Sequence, residues 1–70
     1  MKSYVEVAVT IYKNVLVEVE HESHLHQDEI ADMAIDAVDA PPESTFEVTG
    51  ILDKKPSKAN MALYDEFEEI

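Results

Sequence analysis

Residues 4–20 alternate between two kinds of side chain, and this period of two commits the chain to a fold built on an antiparallel hairpin. Val5, Val7, Val9 and Ile11 point one way, whereas Tyr4, Glu6, Ala8, Thr10 and Tyr12 point the other, as in a strand with one face in a core. Val15, Val17 and Val19 repeat the pattern against Leu16, Glu18 and Glu20. A tight turn at Lys13-Asn14 would pair Ile11 with Leu16 and Val9 with Glu18, mixing a core face with a charged one. A turn longer by one residue, Tyr12-Lys13-Asn14, pairs Ile11 with Val15, Val9 with Val17 and Val7 with Val19, and it puts Asn14 where such loops need a left-handed residue. The second register is expected. It also sets Glu6 opposite Glu20 and Ala8 opposite Glu18, and like charges facing each other destabilise a sheet. A fold that tolerates them is expected either to keep those acids for use or to leave them on a solvated face where screening makes the cost small.

The period changes at Ile30. Ile30, Met33, Ala34, Ala37 and Val38 recur at helical spacing, predicting an amphipathic helix over residues 27–39. Its start falls near His26, because Leu25 and Ile30 then take the hydrophobic staple positions and Asp28 and Glu29 lie in the first turn, where the helix dipole favours acids. Pro41 and Pro42 stop it. Residues 44–52 alternate again, with Phe46 and Val48 facing inward, and Gly50 marks a bulge or strand exit just where Ile51 and Leu52 break the alternation. A polar turn, Asp53 to Lys58, follows around Pro56. In the final segment, residues 59–70, Leu63, Phe67 and Ile70 fit helical spacing, but Asp65, Glu66, Glu68 and Glu69 would crowd a helix C-terminus. A short or fraying helix is expected there, with an edge strand at Met61 to Tyr64 as the alternative.

The predicted architecture is a single α+β domain of ββαβ type over residues 1–70, with a hairpin at 4–20. One helix crosses a three-stranded sheet, and a C-terminal helical segment follows. Val5, Val7, Val9, Ile11, Val17, Val19, Ile30, Met33, Val38, Phe46 and Val48 are its expected core. A single helix covers only part of such a sheet, which leaves Tyr4, Tyr12 and Leu16 on the outer face as a surface for a homodimer.

Seventy residues can bury one core and no more. Without Cys, neither a disulfide framework nor a thiolate metal site is available, which suits a reducing compartment, so a cytoplasmic location is expected. The first residues lead straight into strand alternation rather than an apolar run, predicting neither an export signal nor a membrane span. The formal charge of −11, with no Arg at all, sets the field of the molecule. Such a surface repels phosphate backbones and anionic lipids, so neither direct nucleic-acid nor membrane binding is expected. A basic protein surface is the expected partner, reached quickly at low salt.

Asp28, Asp32, Asp36 and Asp39 stand in one column along the predicted helix with no Lys interleaved, although like charges at this spacing cost a few tenths of a kcal/mol per pair. Carboxylates about 6 Å apart along a helix can imitate the phosphates of a nucleic-acid strand. With Glu6, Glu18 and Glu20 they form the predicted partner-binding set. Tyr64, Asp65, Glu66, Phe67, Glu68 and Glu69 alternate apolar anchors with acids and form a second candidate docking segment. His21, His24 and His26 offer metal-ligand types in a loop, but no second pair at defined spacing completes a site, so no cofactor is expected. A pH-responsive loop is the related possibility. The chain has no Cys nucleophile, a single Gly and no nucleophile-elbow motif, and catalysis by paired acids would need a pocket that a core this small rarely encloses. A non-enzymatic protein is expected.

On Asp28, Asp32, Asp36 and Asp39, on Glu6, Glu18 and Glu20, on the lack of Arg and on size, the chain resembles the small acidic inhibitors carried by phages and mobile elements. Some of these mimic nucleic acid to occupy restriction, CRISPR or other nucleic-acid-processing enzymes. The resemblance is of class, without a shared motif. It implies a basic nucleic-acid-binding surface as the target and the host cytoplasm as the location. A structural or assembly subunit, whose acids serve solubility, is the competing expectation.

Overall fold

The two alternating segments form strands β1 (Lys2–Val9) and β2 (Lys13–Glu20), which pair antiparallel. The computed structural model describes residues 1–10 and 12–70. Helix α1 (Gln27–Ala37), strand β3 (Phe46–Leu52), the single-turn helix α2 (Lys58–Met61) and strand β4 (Glu66–Glu69) follow. The sheet has four strands in the order β3-β1-β2-β4, not the three expected, with β1 antiparallel to β2 and β3, and β4 parallel to β2.

The hairpin register differs from the expected one. Val5 faces Val17, Val7 faces Val15 and Val9 faces Lys13, so Lys13 and Asn14 belong to β2 rather than to a turn. Ile11, expected opposite Val15 and in the core, lies outside the described residues. Both registers put the same side chains on the same faces, because each strand slides by an even number of residues. Charge separates them. In the observed pairing Glu20 faces Lys2, Glu18 faces Tyr4 and Glu6 faces Leu16, so the expected opposition of Glu6 and Glu20 is absent.

β3 joins the other side of β1 with a register break between Glu6 and Val7, which pair with Gly50 and Val48. Thr49 is therefore the extra residue of a bulge. Its effect is to change face: Phe46 and Val48 lie on the valine side, and beyond the bulge Ile51 returns there while Leu52 joins Tyr4 on the other.

α1 starts after His26, whose carbonyl accepts from the amides of Glu29 and Ile30 at 3.1 Å but whose side chain caps nothing. Leu25 packs against the core beside it, as a staple residue does. The helix ends at Ala37, two residues earlier than expected, because Val38 turns extended (ψ 124°) and is buried in the core. Its packed stripe is Ile30, Ala34 and Ala37 together with Ile35. Met33, next to this stripe, is left 37% exposed, outside the core predicted for it.

α1 carries the chain from β2 across the valine face to β3, which is parallel to β2. The next connection, residues 53–65, must return across the whole sheet, since β3 and β4 are its opposite edges. It takes the other face, as two parallel crossovers of one hand running in opposite directions must. There Tyr64 donates its hydroxyl hydrogen to Glu6, and the Lys55 ammonium lies 5.1 Å from the centre of the Phe67 ring. Ser57 caps α2 by accepting from the Asn60 amide at 3.4 Å. The expected C-terminal helix is thus a single turn, and the acids that would have crowded its end alternate instead along β4, with Phe67 beside Leu16.

Leu16 is fully buried and Tyr4 nearly so. The apolar outer face assigned to a homodimer is in this respect filled from within the chain, and of its three residues only Tyr12 is exposed. Replacing Leu16 by Ala should cost about 3 kcal/mol, as for a buried leucine, whereas Met33→Ala should cost under about 1 kcal/mol. Urea melts of the two variants check the order; equal costs would show that the outer face is not packed.

Candidate functional site

Asp28, Asp32 and Asp36 are all exposed on the side of α1 turned away from the sheet, and no ion pair among the described residues involves them. Asp39 is exposed but lies beyond the end of the helix, so the column holds three of its four predicted members. Between Lys13 and Lys54 the sequence has neither Lys nor Arg, and that stretch makes β2, α1 and β3. The lysines serve elsewhere: Lys2 lies 3.9 Å from Glu18, Lys13 pairs with Glu66, and Lys55 covers Phe67. The helix side is acidic without compensation.

The strand acids do not extend this surface. Glu6, Glu18 and Glu20 alternate with the core valines and so belong to the opposite face of the sheet from α1. Glu18 is only 13% exposed and accepts from the Tyr4 hydroxyl at 2.9 Å. That hydrogen bond, with burial and the nearby charges of Glu18, Glu69 and Glu20, raises the Tyr4 pKa above its ordinary value. Glu20, 61% exposed, sits 3.5 Å from the terminal amino group of Met1. Glu6 is half-buried: one carboxylate oxygen accepts from Tyr64, and the other lies where a side chain at Gly50 would begin. The bulge glycine is needed there for close approach, not for strand geometry.

The second predicted docking segment is mostly used within the fold. The Asp65 carboxylate accepts from the Asn14 amide at 2.7 Å, and the Asp65 amide donates to the Asn14 carbonyl, also at 2.7 Å. Glu66 pairs with Lys13, Phe67 and Glu68 are half-buried, and only Asp65 and Glu69 are exposed. Burial, then the hydrogen bond to Glu6 and its charge, push the Tyr64 pKa up to about 12. Tyr64 and Glu6 were each visible as candidates; their partnership was not, because it joins residues 58 apart in sequence through a crossover. Beside them Leu63, Asn14, Thr49 and Val7 complete a cavity of about 190 Å³, below the ~300 Å³ at which small-molecule sites begin.

The histidines diverge. His21 Nδ1 lies 2.7 Å from the Glu22 carbonyl, which can only accept, so this nitrogen carries a proton, and Nε2 faces the Ser3 hydroxyl at 2.7 Å. His24 and His26 are exposed. Among the described residues no group of three His, Cys, Asp or Glu is placed to hold a metal ion, and no helix is long and apolar enough to cross a membrane.

Fold and surface define a small α+β protein with a four-stranded mixed sheet and one uniformly acidic helix side. The chain matches no protein-family model, no curated protein and no solved structure.

The Tyr64 pairing has a pH signature. A folded-state pKa near 12 against an ordinary 10.0 means that the stabilisation is complete below pH 10 and is lost as pH rises towards 12. Tyr64→Phe should lower stability by about 1 kcal/mol at neutral pH and flatten the fall between pH 10 and 12. Denaturant melts across that range test it; an unchanged alkaline slope would show that Tyr64 titrates freely. Gly50→Ala should reproduce the loss by displacing the Glu6 carboxylate.

Proposed function

We propose that the protein is a non-enzymatic binding module that sets the acidic side of α1 on a basic protein surface, of the kind that otherwise holds a nucleic-acid backbone. The observation that carries this reading is the exposed column of Asp28, Asp32 and Asp36, which no cation among the described residues neutralises. Like charges at this spacing cost helix stability, and a face meant only for solubility would mix in lysine. The lysines present are placed on other parts of the fold. Competition with nucleic acid follows from the chemistry of the column: carboxylates at about 6 Å intervals meet the same cationic side chains as phosphates.

Glu18 and Glu6 have internal partners, so the docking set in this reading is Asp28, Asp32 and Asp36, with Asp39 and Glu29 at its borders. Burial of Tyr4 and Leu16 counts against the competing reading of a subunit that self-associates through the sheet face. The small acidic inhibitors of mobile elements remain the class with which this reading agrees.

Capture from a bacterial lysate on the immobilised protein at low salt tests it. A nucleic-acid-binding protein should be retained, be released as salt rises, and be displaced by added DNA. Joint replacement Asp32→Asn and Asp36→Asn should weaken retention roughly tenfold, about 1.4 kcal/mol, while thermal stability stays level or rises slightly. Retention indifferent to those two changes would remove α1 as the docking face.

A further inference from the structure

β3 is a terminal strand of the sheet, and its far side pairs with nothing among the described residues. It is seven residues long, against four for β4 at the other edge. Alternate residues of such a strand turn their N–H and C=O groups outward, a template for one more strand.

The side chains along this edge say what that strand should carry. α1 packs more on β1 and β2 than on β3, so Phe46, Val48 and Ile51 reach the core yet remain half-buried. They form an apolar shelf on the helix side. On the other side Glu47 is exposed, and exposed Glu43 and Asp53 flank the two ends of the strand. A second copy of this chain is a poor occupant, because it would bring its own Glu47 and a charge of −11 against an equal charge. β4, short and carrying Glu66, Glu68 and Glu69, lacks the apolar shelf.

From this edge we infer that β3 accepts, as a fifth strand, an extended protein segment in which aliphatic residues alternate with Lys or Arg. The aliphatic side chains lie on Phe46, Val48 and Ile51, and the cations lie along Glu47. Backbone hydrogen bonds supply affinity, and the alternation supplies selectivity. The site is separate from the aspartate column of α1 and stands or falls independently of it.

The probe is an acetylated peptide of four Val-Lys repeats, titrated onto the whole protein while amide hydrogen exchange is followed residue by residue. The outward amides, those of Phe46 and Val48 before the bulge and of Ile51 beyond it, should slow at least about tenfold at saturation, with β4 unaffected. Two N-methylated versions, one blocked at every Val and one at every Lys, separate strand pairing from charge attraction: one should lose roughly tenfold in affinity and the other keep it. Glu47→Lys should weaken binding several-fold, whereas joint Asp32→Asn and Asp36→Asn should leave it within about twofold. Equal binding of both N-methylated peptides, protection confined to α1 or β4, or a free protein that is already a dimer with its β3 amides protected would each overturn the inference.

Discussion

β1 pairs with β2 on one side and with β3 on the other, and the remaining elements take their positions from it. Its valines meet those of β2 directly and, across the bulge, meet Val48 and Ile51 of β3. This pairing makes one face continuous and apolar enough to hold α1 through Ile30, Ala34, Ile35 and Ala37. The same strand presents Tyr4 and Glu6 to the other face, where the return crossover needs an anchor. One strand thus organises a hydrophobic layer and a polar latch on its two sides.

The bulge couples these roles. Had β3 kept a strict alternation, Ile51 would face the crossover and Gly50 the helix. Inserting Thr49 returns Ile51 to the core and brings the one glycine beneath the Glu6 carboxylate. The latch and the completion of the apolar layer therefore rest on the same extra residue.

The strands and helix were legible because each announces itself by local periodicity: Val5 to Val9, Val15 to Val19, Ile30 to Val38, Phe46 to Val48. Register was not, since parity fixes the face of a side chain but not its opposite number. The informative signal was Lys2, whose place opposite Glu20 relieves a like-charge pair. β4 was hidden because Phe67 and Ile70 also suit a helix, and its partner β2 lies far away in sequence. For the same reason the acidic residues sorted imperfectly. Asp28, Asp32 and Asp36 follow from helical spacing alone, whereas the fates of Glu6, Glu18 and Tyr64 depend on a crossover that no local pattern encodes.

That crossover also orders events in time. β1, β2, α1 and β3 can assemble from contacts within the first 52 residues, but Leu16 gains Phe67, and Glu6 gains Tyr64, only when the last segment arrives beside β2. Closing so long a loop is slow relative to forming the hairpin. A sheet lacking that strand would show an apolar strip next to an open strand edge, the form of surface most prone to aggregate. A charge of −11 would make two such unfinished sheets repel each other, so the acidity that sets the field of the folded molecule would also oppose their association before the fold is finished.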